Sequence, residues 1–104
     1  MPGQSVTVAR AADIKPGDVV AFDVGTTRVA IANVDGRLYA FSDICTHEEC
    51  NLADGGVLTG MIIECPCHGA QFDVGTGKVM APPAPSPIAT YAVHVRDGQV
   101  IVEV

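Results

Sequence analysis

Apolar residues recur along the chain in short runs, some continuous and some alternating with polar residues, and turn-forming residues separate the runs. No window of a dozen residues carries the apolar period of an amphipathic helix. The pattern therefore predicts an all-β protein. The main strands are expected at residues 6–10, 19–24, 28–34, 37–42, 91–96 and 99–104, with a helical turn at 11–14 and a β-turn at 15–18.

Two Asp-Gly dipeptides mark the turns of the predicted hairpins. Asp35-Gly36 separates the third and fourth of these strands, and Asp97-Gly98 separates the last two. Asp and Gly readily adopt the positive φ angles of a two-residue hairpin turn. Each dipeptide therefore predicts that the strands on either side of it are antiparallel neighbours.

The middle of the chain, about residues 43–80, differs from the flanking strands. Short predicted strands at 57–58, 61–65 and 70–74 are interrupted by glycine-containing turns. This predicts a loop-rich subdomain inserted in the β scaffold. The proline-rich segment at 81–87 that follows cannot join a central sheet, because proline lacks an amide donor. Considered alone, this segment would also suit a stiff linker.

Length and composition restrict the kind of protein. A chain of 104 residues, 48% hydrophobic and 17% charged, is typical of one compact domain over residues 1–104. The net charge of −6, with six scattered Lys and Arg residues, argues against nucleic-acid binding. The amino-terminal sequence lacks the pattern of a secretion signal and no stretch is long enough to span a membrane, so we expect a cytoplasmic protein.

Two short motifs carry the chemistry of the chain: Cys45-Thr46-His47 and Cys65-Pro66-Cys67-His68. Cysteines placed beside histidines in this way favour metal binding over a pair of disulfides. By ligand chemistry alone, two Cys and two His would suit a structural zinc ion as well as an iron–sulfur cluster. His94 alternates with other outward positions of a predicted strand, and we do not expect it to bind metal.

The spacing of the two motifs, together with Pro66, Gly69 and the proline-rich segment, resembles the Rieske [2Fe–2S] family over about residues 39–90. The resemblance implies a Rieske fold of three antiparallel sheets, with the proline-rich segment covering the cluster. It implies one [2Fe–2S] cluster with Cys45 and Cys65 on one iron and His47 and His68 on the other.

Within this family the chain most resembles the small ferredoxins of bacterial aromatic-ring-hydroxylating dioxygenases. The resemblance implies a monomeric one-electron carrier, not itself an enzyme, between a flavin-containing NAD(P)H-dependent reductase and a terminal oxygenase. The alternative is a small Rieske-like subunit of an assimilatory nitrite reductase. A catalytic oxygenase subunit would need a further domain with a mononuclear iron site, for which this chain has no room.

By the same resemblance, Cys50 and Cys67 occupy positions at which the Rieske subunits of cytochrome bc complexes form a disulfide between the two ligand loops. We expect that disulfide here, although many dioxygenase ferredoxins lack the pair and a reducing cytoplasm favours free thiols. Ala70 and Phe72 stand where high-potential Rieske subunits carry a serine and a tyrosine. Without those two hydroxyl donors, we expect a reduction potential near the low end of the class, about −150 mV.

Acidic residues cluster in sequence around the first motif. Glu48 and Glu49 directly follow it, and Asp43 and Asp54 are close by. They predict either an ordinary solvated loop or an acidic surface that steers a basic redox partner. No motif around Arg28 indicates a function for that residue.

Two further expectations concern packing. Gly55, Gly56 and Gly69 would allow close approach of the backbone around the ligand motifs. Met61 and Met80 are expected to pack against other apolar side chains.

Overall fold

The computed structural model describes residues 5–45, 50–67, 69–81 and 86–104. Within these residues the chain forms ten β-strands and one short 3-10 helix, and no helix there is long and apolar enough to span a membrane. The all-β prediction is confirmed. The strands are β1 (Ser5–Arg10), β2 (Val19–Val24), β3 (Thr27–Val34), β4 (Arg37–Ser42), β5 (Val57–Thr59), β6 (Ile62–Glu64), β7 (Gln71–Asp73), β8 (Val79–Ala81), β9 (Thr90–Arg96) and β10 (Gln99–Glu103), and the 3-10 helix spans Ala11–Asp13.

The strands form two antiparallel sheets. One has six strands in the order β1-β10-β9-β4-β3-β2, and the other has four in the order β5-β6-β7-β8. The three sheets that were expected are present, but two of them, β1-β10-β9 and β9-β4-β3-β2, share β9 and so form one continuous sheet. Its residues 92–96 pair with β10, while Thr90 and Tyr91 pair with Phe41 and Ala40 of β4. A strand of seven residues is long enough to pair with both neighbours at different points along its length.

Both Asp-Gly dipeptides form the predicted tight turns. Asp35 and Gly36 have φ angles of 52° and 94°, and Asp97 and Gly98 have φ angles of 53° and 76°. Positive φ at both central residues is characteristic of the type I′ hairpin turn, whose twist matches that of the flanking strands. At the first turn the side chain of Asn33 also accepts a hydrogen bond from Gly36 N at 2.7 Å. The two hairpin predictions are confirmed.

The loop-rich middle of the chain forms the four-stranded sheet, in which each strand has only three residues. β5, β6 and β7 coincide with the short strands predicted there. The sequence pattern does not predict β8, because three residues beside a proline-rich segment are too few to show alternation. The pairing of β8 with β7 shifts register between Gln71 and Phe72.

Two apolar cores hold the molecule together, and β3 lies between them. Val29 and Ile31 belong to the core of the six-stranded sheet, whereas Ala30 and Ala32 belong to the core under the four-stranded sheet. All four side chains are fully buried. Successive residues of a strand point to opposite faces, so β3 is apolar on both of its faces.

The two methionines in the middle of the chain differ in their surroundings. Met61 packs against the core under the four-stranded sheet, as predicted. Met80 is 50% exposed, so the prediction for this residue is wrong. It lies on β8, an edge strand, where its neighbour Val79 faces the core and alternation turns Met80 the other way.

Candidate metal centre

A ladder of hydrogen bonds closes the base of the first ligand loop, residues 45–50. Leu52 N donates to Asp43 O at 2.7 Å, and Cys45 N donates to Cys50 O at 2.9 Å. An isolated β-bridge lies between these two bonds. The ladder places Cys45 in the core under the four-stranded sheet, with 2% of its surface exposed.

The second ligand loop, residues 65–70, begins directly after β6. Cys65 N donates a hydrogen bond to Ala70 O at 2.7 Å, and Gly69 N donates to Cys65 O at 3.2 Å. Gly69 has a φ angle of 76°, a conformation that glycine adopts without steric cost. Cys65 is also 2% exposed and lies in the same core as Cys45.

A disulfide between Cys50 and Cys67 joins the two loops, with the two Cα atoms 6.5 Å apart. Cys45 and Cys65 are thiols outside this bridge. The Sγ atoms of Cys50, Cys65 and Cys67 all lie within 4.8 Å of one another. The bridge therefore lies directly beside one of the two predicted cysteine ligands.

The other half of the predicted ligand set lies outside the described residues. The two ligands concerned are His47 and His68. Glu48, Glu49 and the central residues of the proline-rich segment, 82–85, also lie outside the described residues. The roles assigned to them stay predictions. Of the predicted ligands, the structure describes the two cysteines and places them in one core, on loops that a disulfide connects.

The described half of the site fits a metal held by thiolates. Two thiols that share a buried apolar core, on loops closed by backbone hydrogen bonds, offer sulfur ligands shielded from water. Thiolate ligands select zinc, copper(I) and iron–sulfur clusters over hard cations. Zinc and a [2Fe–2S] cluster would both use this pair, and the family to which the chain belongs decides between them.

The last residue of the second loop, Ala70, and the middle residue of β7, Phe72, carry no hydroxyl. Ala70 and Phe72 are both fully buried in the core that contains the cysteines. Ala70 is tied to Cys65 through its carbonyl oxygen, at 2.7 Å from Cys65 N. The side chains at these two positions present only carbon atoms to their surroundings.

An ion pair with a fully buried carboxylate, at the base of the first loop, is the feature that the sequence analysis missed. Asp43 is fully buried, and its carboxylate accepts hydrogen bonds from Arg28 Nε at 2.9 Å and from Ala53 N at 2.7 Å. The hydrogen bond to Asp43 raises the pKa of Arg28 above its usual value. The expectation that Asp43 adds to an exposed acidic surface is wrong, whereas Asp54 is exposed. The two partners lie 15 residues apart in sequence, and no local pattern links them.

His94 lies on the exposed face of β9, as predicted. Its side chain is 60% exposed, and its Nε2 atom lies 2.6 Å from Glu103 Oε2 on the neighbouring strand β10. The contact with Glu103 explains the placement of the His94 side chain, and no metal is needed to explain it.

An antiparallel β scaffold that buries two cysteines on neighbouring loops fits the class of iron–sulfur proteins with a Rieske centre. The family model of the Rieske [2Fe–2S] domain matches residues 4–92. The chain belongs to this family.

Individual proteins match along most of their length. The chain is 38% identical over 91 residues to the biphenyl dioxygenase ferredoxin subunit of Pseudomonas sp. (strain KKS102), covering 88% of this chain and 84% of the relative. The ferredoxin of carbazole 1,9a-dioxygenase from Nocardioides aromaticivorans IC177 has the same fold, with a TM-score of 0.90, 37% identity and coverage of 95% and 96% of the two chains. A structure described as a complex of reduced oxygenase and oxidized ferredoxin in carbazole 1,9a-dioxygenase contains a chain with a TM-score of 0.89 and 36% identity, covering 95% of this chain and 92% of that one.

Proposed function

We propose that this protein is the ferredoxin component of an aromatic-ring-hydroxylating dioxygenase system used in aromatic hydrocarbon catabolism. It carries single electrons from a flavin-containing NAD(P)H-dependent reductase to a terminal oxygenase and performs no substrate chemistry itself. The observation that carries the proposal is the burial of Cys45 and Cys65 in one core on two neighbouring loops, which fits the cluster of a Rieske protein. The two dioxygenase ferredoxins that match nearly the whole chain support it.

The ligand assignment is part of the proposal. Cys45 and Cys65 would hold one iron of the cluster, and His47 and His68 would hold the other. When bound, a Rieske cluster takes up and releases one electron, and neutral imidazoles in place of two thiolates make it easier to reduce. The chain contributes a dry apolar core around the cysteines and two loops held at fixed separation by the bridge between Cys50 and Cys67.

The proposal names a terminal oxygenase as the electron acceptor, and the solved oxygenase–ferredoxin complex supports that choice. It further holds that the carrier is monomeric and that it works in the cytoplasm, where NAD(P)H feeds the reductase. The alternative, a small Rieske-like subunit of an assimilatory nitrite reductase, is not supported, because the relatives described above are dioxygenase ferredoxins.

Anaerobic purification, metal analysis and electron transfer together test the proposal. We expect a red-brown protein with iron and acid-labile sulfide, reducible by NADH through a flavin reductase and reoxidised by a terminal oxygenase. Because the chain carries a net charge of −6, the rate of transfer to a basic partner should fall as salt rises. A colourless zinc protein would contradict the proposal, as would a cluster that neither partner reduces or oxidises.

The acidic residues after the first motif should account for part of this salt dependence. Replacing Glu48 and Glu49 with Gln should slow transfer several-fold at low salt and leave it unchanged at high salt. A matched control removes two negative charges elsewhere, with Asp13→Asn and Asp97→Asn, and should have a smaller effect. If both double variants behave alike, net charge rather than the first loop steers the partner.

Adding the two missing hydroxyls should raise the reduction potential. We expect Ala70→Ser and Phe72→Tyr each to stabilise the reduced, more negative cluster by about 1 kcal/mol through a hydrogen bond, which is about 40 mV for one electron. Potentiometry followed by absorption measures the shift. Ala30→Ser adds a hydroxyl to the same core from β3 and is the control. Unchanged or lower potentials in both test variants would refute the explanation of a low potential.

A further inference from the structure

Asp43 lies at the junction between the β scaffold and the first ligand loop. It directly follows β4 and precedes Cys45 by two residues. Its backbone N donates to Arg28 O at 3.1 Å, and its backbone O accepts from Leu52 N at 2.7 Å. Its carboxylate binds Arg28 Nε at 2.9 Å and Ala53 N at 2.7 Å. One residue thus joins β3, the end of β4 and the segment that returns from the loop.

The two charges of this pair are unequally exposed. The side chain of Asp43 is 0% exposed and that of Arg28 is 39% exposed. A buried carboxylate is costly unless it is paired and hydrogen-bonded, and here both conditions are met. Arg28 also contacts Asp23 at 3.3 Å, but the Asp23 side chain is 75% exposed. Solvent screens that second pair, so Asp43 is the stronger partner of Arg28.

We propose that Arg28 and Asp43 form a positioning pair that fixes the first ligand loop on β3 and acts with opposite signs on the reduction potential of the cluster. The inference rests on the proposed function, since it needs a cluster bound at Cys45. Neither side chain is a ligand in this proposal. Both act through the loop and through their charges.

The opposite signs follow from the charge that reduction adds. Two residues of backbone span at most about 7 Å, so the Asp43 Cα lies near that of Cys45. An added electron makes the cluster more negative; the carboxylate of Asp43 therefore opposes reduction and the guanidinium of Arg28 favours it. Because Asp43 is buried, salt screens its effect only weakly. If the two substitutions only disturbed the geometry of the loop, they would not be expected to shift the reduction potential in opposite directions.

Potentiometry on the holoprotein tests the electrostatic part. Asp43→Asn keeps the size of the side chain and an oxygen acceptor for Ala53 N, and it should raise the ratio of reduced to oxidised cluster at a fixed potential by about threefold to tenfold. Arg28→Met removes the positive charge and should lower that ratio by a similar factor. The double variant should fall close to the wild type.

Matched controls come from the exposed pair Arg10 and Asp13, whose side chains are 78% and 61% exposed. Arg10→Met and Asp13→Asn make the same charge changes as the two test variants, in the region of β1 and the 3-10 helix. Each should change the ratio less than the corresponding change at Arg28 or Asp43, because the control side chains are more exposed and solvent screens exposed charges.

Hydrogen exchange at the Ala53 amide tests the positioning part and does not depend on electron transfer. Arg28→Met should speed exchange at this amide at least tenfold relative to the wild type, and Arg28→Lys should restore much of the protection. The control Arg10→Met should leave it unchanged. Measured on protein freed of metal, the same comparison decides the positioning part even if no cluster is found.

Three outcomes would overturn the inference: potentials that shift in the same direction in both single variants, potentials that stay at the wild-type value, or unchanged Ala53 exchange in Arg28→Met. A wild-type protein that binds no iron would instead contradict the proposed function. The two failures are therefore distinguishable.

Discussion

Replacing Gly56 with alanine should prevent the chain from forming a stable four-stranded sheet beside the ligand loops. Gly56 lies just before β5, and its N–H donates to Leu52 O at 3.1 Å. A Cβ at this position would clash with that same Leu52 oxygen and would lie 3.0 Å from Glu64 O. Both obstacles are backbone atoms, so no side-chain rotation relieves the contact. We expect a loss of about 3 kcal/mol or more in the free energy of unfolding, with poor recovery of metal-bound protein.

The matched control for this change is Gly60→Ala, between β5 and β6. Gly60 has a φ angle of 58°, and no atom lies within 4 Å of its added Cβ. Alanine at this position should lower the free energy of unfolding only by the cost of a left-handed backbone conformation, about 1 kcal/mol. Urea unfolding followed by circular dichroism compares the two variants with the wild type. If Gly56→Ala loses no more stability than Gly60→Ala, the close backbone approach at Gly56 does not limit the fold.

The features that sequence could predict are those coded by neighbouring residues. Apolar runs at 19–24, 28–34 and 37–42 predicted β2, β3 and β4 closely, because each run is at least six residues long and is bounded by turn residues. The Asp-Gly turns were equally local. The close approach expected at Gly56 is present, although the groups it approaches are the carbonyl oxygens of Leu52 and Glu64.

The features that sequence could not predict depend on partners distant in the chain. β8 exists because Val79 can pack on the core beside β7, and three residues carry no period of their own. The burial of Asp43 depends on Arg28, which arrives from β3. For the site, the spacing of the motifs pointed to Cys45 and Cys65, which the structure buries in one core. The ion pair below the first loop could not be predicted, because its two residues are distant in sequence and meet only in the folded sheet.

Removing the disulfide should be the second large effect, and its size should depend on whether the cluster is bound. Cys50 and Cys67 are 17 residues apart, and closing a loop of that length lowers the entropy of the unfolded chain enough to stabilise the fold by about 3 kcal/mol. We expect Cys50→Ser combined with Cys67→Ser to lose about this amount in protein without metal. With a cluster bound, ligands on both loops would already hold them together, so the loss should be smaller.

The double variant is a cleaner test than either single one. A single substitution leaves one thiol within 4.8 Å of Cys65 Sγ, where it could form a different bridge by oxidation and remove a predicted ligand. Wild-type protein treated with a dithiol reductant is the matched control, and it should unfold at the same urea concentration as the double variant. Equal stability of oxidised wild type and double variant without metal would contradict the prediction. Equal losses with and without the cluster would show instead that the cluster does not tie the two loops together, which would count against ligands on both of them.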